Sequence, residues 1–424
     1  MDKNIIKTII GEKQTEISQV KLVKRPAIYE DTMCYVNVGV RRAGKSWLLF
    51  QDIQDRVTTG ETSFQDCLYI NFEDERLSDI NSKELGLIID SYREMFTTEK
   101  PFVYLDEIQN ISGWEKFVRR LSESGFRVMV TGSNARMLSK EIASTLGGSF
   151  IIREVFPFSW REYLSYLGIR PGKNWEYEPN TRIEVRKHFD AYFYNGGFAE
   201  AFHIVGKREW LTSLLQRILM GDIITRYKIR NDRQLRLLVR KVADNVMQPT
   251  SITRFEHIIK SSGEKISTPT VKDYLEYLEE SYLIFSIPNY ASPDSEQETL
   301  RKRYFIDNGL LNLYLYRGET KLLENIVAIQ LRKEYRNPEP SIFYYKRGDV
   351  DLDFYIPETK TAIQVSYDLS SQETNDREVE TLVRFNKSFK LNRAMIITFD
   401  QEETIEKDNL TIDVVPVWKW LLSR

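Results

Sequence analysis

With 424 residues, 42% of them hydrophobic and 29% charged, the chain is too long for one core, and two or three soluble domains are expected. A net charge of −2 excludes a bulk positive field, so any nucleic-acid site has to be a local patch. Cys34 and Cys67 sit in apolar runs and read as buried thiols, while His188, His203 and His257 form no Cys/His cluster that would argue for zinc.

The opening MDKNIIKTIIGEKQ carries charge throughout and lacks a signal-peptide core, and no apolar run is long enough to cross a bilayer. A cytoplasmic chain without a membrane partner is expected. Short apolar strands then alternate with amphipathic stretches, the pattern of a parallel α/β sheet, at 33–39, 67–72, 101–107, 126–132 and 149–155.

Directly after the first strand comes GVRRAGKSWLL, Gly39 to Leu49, which fits GxxxxGK[ST] between a strand and a helix. Gly39 and Gly44 let the backbone curl so that the N–H groups of Val40, Arg41, Arg42, Ala43 and their neighbours converge on phosphate oxygens, with Trp47 in the first helical turn. Lys45 is expected to reach the β- and γ-phosphates of ATP, and Ser46 to offer its hydroxyl to Mg²⁺. The strand FVYLDEIQN ends in Asp106, a second expected Mg²⁺ residue acting through water, and Glu107, a candidate general base for the attacking water. In VMVTGSN, the polar Thr131, Ser133 and Asn134 are placed to sense the γ-phosphate.

From about Phe156 the pattern becomes helical and aromatic-rich, with a loop at 170–180 and one long helical run at 210–229. Between 234 and 311 the order is three helices, with Ser251 and Thr268 as expected N-caps and Pro269 at a first helical position, then two strands around a polar loop at 288–301. That is a winged-helix arrangement. Its third helix, TPTVKDYLEYLEESYL, sets Lys272 against Asp273, Glu276, Glu279 and Glu280, a net negative face that favours a protein contact over major-groove reading. Basic residues lie elsewhere, at 240–245, Lys260, Lys265 and 301–303.

The last section holds the helix LLENIVAIQLRKEY and the strand pair DVDLDFYIPETKTAIQVSY, which resembles the metal-binding hairpin of restriction-type nucleases. Glu324 on the helix and Asp353 on the strand, with Asp351 two positions earlier on the same strand face, supply candidate oxygen ligands. Gln364 stands where a Glu is usual and Ser366 where a Lys is usual, leaving only Lys346 or Lys360 to reach in. Arg377 and Glu378 either help fix this site or form a helix-surface pair. A weak or inactive nuclease-like domain is the expectation.

GVRRAGKS, YINFEDERL, YLDEIQN, VTGSNARML and VFPFSWREYL together resemble the AAA+ branch of P-loop ATPases, in particular a prokaryotic family with an R-R-x-G-K-S/T loop. YNGGFAEA, GDIITRY, IDNGLL, ENIV and VDLDFYI…IQVSY resemble that family's C-terminal domain of unknown function. The resemblance implies ATP binding, a winged helix and a terminal nuclease-like fold. The family often carries an arginine finger, lent by a neighbouring subunit of an oligomer, where this chain has Ser149; Arg153, Arg119 and Arg120 are the remaining candidates.

The expected organisation is a P-loop ATPase domain at 1–155, a helical lid or linker at 156–232, a winged helix at 233–315 and a nuclease-like α/β domain at 316–424. The leading functional expectation is a Mg²⁺-dependent ATPase coupled to the C-terminal module. Two rivals stay open: an ATP-gated metal-dependent nuclease acting on DNA, and an ATP-loaded switch recruiting a regulatory protein; DNA or RNA is also a candidate partner of the ATPase.

Overall fold

Five short strands, β1 (Cys34–Val38), β2 (Cys67–Asn71), β3 (Phe102–Asp106), β4 (Val128–Gly132) and β5 (Phe150–Glu154), form an all-parallel sheet in the order β2-β3-β4-β1-β5. This is seen in the computed structural model, which describes residues 1–27, 29–30, 33–134, 146, 150–293, 299–335 and 340–423. The inner strands are apolar almost throughout because helices cover both faces of a parallel sheet. One such helix, Lys3–Gln19, grows from the charged N-terminal stretch; Asp2 caps it by accepting from the Asn4 N–H at 2.8 Å, and it buries Ile6, Ile9, Ile10 and Ile17 along one stripe. Tyr35, Leu49, Ile53, Tyr69, Tyr104 and Met129 share a core with Ile17.

The chain divides into two units, Met1–Phe156 with Glu280–Tyr282, and Pro157–Glu279 with Leu283–Arg424. In the second, the expected long helix at 210–229 is instead a helix over Lys207–Arg217 followed by a wider π-helical stretch over Ile218–Thr225. Gly221 weakens the regular ladder there, and the Thr225 hydroxyl donates to the Met220 carbonyl five residues back, at 2.8 Å. Helices Asp232–Asp244, Ile252–Ser261 and Thr268–Glu280 accompany a small antiparallel sheet, β6 (Thr250–Ser251), β7 (Ile284–Pro288) and β8 (Leu300–Phe305), ordered β6-β8-β7. Ser251 caps its helix by accepting from the Arg254 N–H at 3.2 Å. The next cap is Ser267 rather than Thr268: its hydroxyl accepts from the Thr270 N–H at 3.3 Å, while the Thr268 hydroxyl donates to Glu256.

The C-terminal sheet has six strands, β9 (Phe343–Arg347), β10 (Val350–Ile356), β11 (Thr361–Val365), β12 (Arg393–Thr398), β13 (Glu403–Lys407) and β14 (Leu410–Pro416), in the order β13-β14-β12-β11-β10-β9. The hairpin expected from sequence is β10 and β11, antiparallel with Phe354 opposite Ile363. Helix Gln372–Phe389 packs Val379, Leu382 and Phe385 onto Leu352, Ile396 and Ile412 of this sheet.

Three of the sequence landmarks in this unit meet in one buried joint. The Asp307 carboxylate accepts the Gly197 N–H at 2.7 Å and the Gly309 and Leu310 N–H groups at 2.8 and 3.2 Å. A Cβ on Gly196 would lie 2.1 Å from Asp307 Oδ1, which is why that turn is glycine. Asn325 bonds the Phe305 N–H and carbonyl and the Asn308 side chain. Burial pushes the Asp307 carboxyl up to about 6 against those backbone donors. YNGG, IDNG and ENIV therefore hold backbones together.

Candidate nucleotide site

In the strand order β3-β4-β1, the C-terminal ends carrying Asp106, Ser133 and the glycine loop lie side by side. Gly39 leaves β1 where a Cβ would sit 2.2 Å from the Val155 carbonyl oxygen, so no side chain fits. Arg42 and Gly44 hold left-handed conformations, φ 64° and 94°, and the helix Lys45–Thr58 starts immediately after. Val40 and Ala43 are buried beneath this turn, and Arg41 reaches out to Glu73 at 2.8 Å. Trp47 stands 45% exposed in the first helical turn, its ring 5.9 Å from that of Phe50.

Lys45 is buried. Its ammonium donates to the Gly39 and Val40 carbonyls at 3.1 and 3.2 Å and lies 3.5 Å from Glu107 Oε1. Asp106, fully buried at the end of β3, accepts hydrogen bonds from Ser46, Thr131 and, at 2.6 Å, Tyr69. Burial, reinforced by the charge of Glu107, pushes its carboxyl above the ordinary range against those three donors. Glu107 adopts φ 52°, a strained conformation for a non-glycine residue, fixed by its N–H donating to the Thr131 hydroxyl at 2.9 Å. Its other oxygen accepts from Gln109, whose amide also reaches Ser133 Oγ at 3.3 Å. Burial opposes ionisation of Glu107, but Lys45, then Gln109, Arg41 and Ser133, outweigh it and hold the carboxyl below its usual range. Asn134, the residue after Ser133, is also buried.

The structure thus brings Lys45, Ser46, Asp106, Glu107 and Ser133 into one cluster, and adds residues that the sequence did not flag. Tyr69 and Gln109 orient the two carboxylates. Arg25 braces the loop from behind, donating to the Ala43 carbonyl at 2.9 Å and the Phe156 carbonyl at 3.0 Å, while its backbone and the Gln51 amide exchange two hydrogen bonds. Gln109 follows Glu107 by two residues and could have been suspected from that spacing; Arg25 and Tyr69 are remote in sequence and left no local signal.

Residues 32–164, which contain Lys45, Ser46, Tyr69, Asp106, Glu107, Gln109 and Ser133, match the family described as an AAA domain, and residues 186–321 match a domain of unknown function. An uncharacterised protein of Methanocaldococcus jannaschii is 34% identical over 398 residues, spanning 91% of this chain and 87% of that one. The chain belongs to the AAA+ P-loop ATPases. An uncharacterised protein of Haemophilus influenzae is 27% identical over 96% of this chain and 99% of its own length. Among solved structures, the Walker-type ATPase PABY2304 of Pyrococcus abyssi aligns with TM-score 0.41 and 16% identity over 74% of this chain and 95% of that chain. The Aeropyrum pernix ORC1 protein, solved with DNA, aligns with TM-score 0.30 and 13% identity over 77% and 93%.

In this AAA+ ATPase the Ser46 hydroxyl and the Asp106 carboxylate, hydrogen-bonded to each other, offer the hard oxygen donors that Mg²⁺ prefers, and a desolvated carboxylate gains from a cation. Of the arginine-finger candidates, Arg153 lies over the rings of Tyr29 and Tyr35 at 4.7 and 4.6 Å, Arg119 pairs with Glu123 at 2.7 Å, and Arg120 stacks over Phe117. Ser149 lies outside the described residues, as do 294–298 of the polar loop between β7 and β8.

The C-terminal candidates of the ATPase are only partly gathered. Glu324 and Asp353 meet, but the cation between them is Lys302 of β8, not Lys346 or Lys360. Lys346 pairs instead with Asp351 at 2.6 Å on the exposed surface, which takes Asp351 out of the cluster. Gln364 is not free to act as a ligand: its oxygen accepts the Asp353 N–H at 2.8 Å and its nitrogen donates to Glu378 at 2.6 Å. Glu378 is buried and bridges Gln364 to Arg377, so this pair helps fix the site rather than merely decorating a helix. Among the described residues, no group of three or more His, Cys, Asp or Glu is arranged to hold a metal ion. Among them, too, no helix is long and apolar enough to cross a membrane.

Proposed function

We propose that the chain binds ATP at Gly39–Trp47 and hydrolyses it in a Mg²⁺-dependent reaction whose nucleotide state is passed to its C-terminal half. The observation that carries this reading is the buried contact of Lys45 with Glu107, next to Ser46 and Asp106, at the C-terminal ends of adjacent strands.

Lys45 already has its ammonium at the loop, held by two carbonyls that are weaker partners than a phosphate. Moving onto the β- and γ-phosphate oxygens, it would neutralise charge that grows as the γ-phosphoryl group is transferred. Ser46 and Asp106 would hold Mg²⁺, which when bound supplies further charge neutralisation at the phosphates. Glu107, kept ionised by its neighbours, would accept a proton from the water whose oxygen attacks the γ-phosphorus, with ADP leaving. Ser133 and Gln109 hold Glu107 in place for that step.

The three helices and the β6-β8-β7 sheet support a winged-helix reading. The acidic helix Thr268–Glu280, where Lys272 is already matched by Glu276 at 3.7 Å, favours a protein partner over a phosphate backbone on that face. Phosphate release from Mg·ATP, measured with and without single-stranded DNA, duplex DNA and RNA, tests both parts. Turnover lost in Lys45→Ala supports the ATPase reading, and turnover unchanged in that variant refutes it. Stimulation by nucleic acid that falls steeply with salt would replace the protein partner with a phosphate backbone.

A further inference from the structure

At the C-terminal cluster, Lys302 is 2% exposed on β8, in a ladder position opposite Ile287 of β7. Its Nζ lies 2.8 Å from Asp353 Oδ1 and 3.1 Å from Glu324 Oε1. Tyr304 donates to the same Glu324 oxygen at 2.6 Å, and Asp353 Oδ2 accepts the Val365 N–H at 3.0 Å. The other Glu324 oxygen is fully buried and has no hydrogen-bond partner. A carboxylate oxygen left in that state is one that a metal ion would ordinarily claim.

We propose that Glu324 and Asp353 form a divalent-cation site whose cation has been replaced by the protein's own Lys302 ammonium, so that the C-terminal unit works without a metal and does not cleave phosphodiesters. The inference stands apart from the ATPase reading, since it uses none of the same residues. Two features support it. A magnesium or manganese ion needs oxygens at about 2.1 Å, so it cannot share the space between carboxylates already 2.8 and 3.1 Å from a buried nitrogen. Withdrawing Lys302 is opposed because its strand is pinned in the β7 ladder and the loss of its charge would leave the buried Glu324 and partly buried Asp353 carboxylates facing each other.

Gln364 fits the same account. Its amide nitrogen is the donor that lets Glu378 approach to 2.6 Å, whereas a glutamate there would set two carboxylates against each other. The residue that sequence suggests is a weakened ligand is a satisfied structural amide. Ser366 likewise donates to the Asp368 carbonyl, at 3.3 Å, and has no ammonium to supply.

Mn²⁺ uptake by the nucleotide-free full chain tests the proposal, followed by the electron paramagnetic resonance of the free ion, with Lys45→Ala in every protein to suppress the phosphate loop. The expected result is equal uptake with and without Glu324→Gln. Adding Lys302→Ala should gain a single Mn²⁺ equivalent per chain, lost again when Glu324→Gln is combined with it. Uptake by the Lys302-containing protein that Glu324→Gln removes would overturn the proposal, as would a folded Lys302→Ala chain that gains none. If Lys302→Ala does not fold, the Glu324→Gln comparison decides by itself: equal uptake upholds the replacement and unequal uptake overturns it.

Discussion

Glu107→Gln should leave ATP bound and lower its turnover by about 10²–10⁴-fold, the usual contribution of a positioned general base. The amide is nearly the same shape, so the hydrogen bond from the Glu107 N–H to Thr131 and the packing of the turn are kept. What is lost is the proton acceptor. The substitution also removes the carboxylate 3.5 Å from Lys45, so the ammonium is freer to engage phosphate, and affinity for ATP should be unchanged or higher. Single-turnover hydrolysis alongside equilibrium nucleotide binding separates the two effects. Turnover within tenfold of wild type would assign the base elsewhere; loss of both binding and turnover would make Glu107 a structural residue.

The second large effect is on stability. Lys302→Met removes the cation between Glu324 and Asp353 and should cost about 3–5 kcal/mol, because the fully buried Glu324 carboxylate is left beside the partly buried Asp353 without a cation. In a unit of this size that corresponds to a fall of on the order of 10 °C in its thermal transition. Combining Lys302→Met with Glu324→Leu, which removes the buried one of its two partner charges as well, should recover part of the loss, since an apolar replacement for a buried ion pair is often nearly neutral. The Tyr304 hydroxyl, which donates to Glu324, sets the limit of that recovery. A single variant as stable as wild type would show that the pair is solvated and does little.

Local sequence was informative wherever the chemistry itself is local. The glycine loop, the helix it opens and the strand ending in Asp106 and Glu107 are contiguous segments whose spacing dictates their geometry, and the structure places them together. The β10–β11 hairpin could be read because each strand is apolar on its inner face and a turn joins them. Strand β12 is assembled by parallel pairing with β11 and β14 across intervening chain, and β6 has only two residues, so neither has a strong signal of its own. The π-helical stretch carries the same apolar pattern as an ordinary helix, which is why 210–229 reads as one.

Arg25 and Lys302, missed at the two sites, share one property. Arg25 bonds a carbonyl 131 residues away, and Lys302 pairs with Asp353 across 51 residues, from a strand belonging to another sheet. A lysine in KRYFID looks like surface charge until the fold buries it. The consequence for function is specific: the departure at Ser366 suggested a site short of an ammonium, whereas the structure supplies one from β8 between Glu324 and Asp353.

The central claim, that the Gly39–Trp47 loop is a nucleotide site, is tested most directly by calorimetric titration of Mg·ATP into wild type and Lys45→Ala under identical salt. Wild type should bind one ATP per chain, and Lys45→Ala should bind more than about 100-fold more weakly, since the variant deletes a buried charge paired with phosphate. Equal affinity in the two proteins would contradict the account.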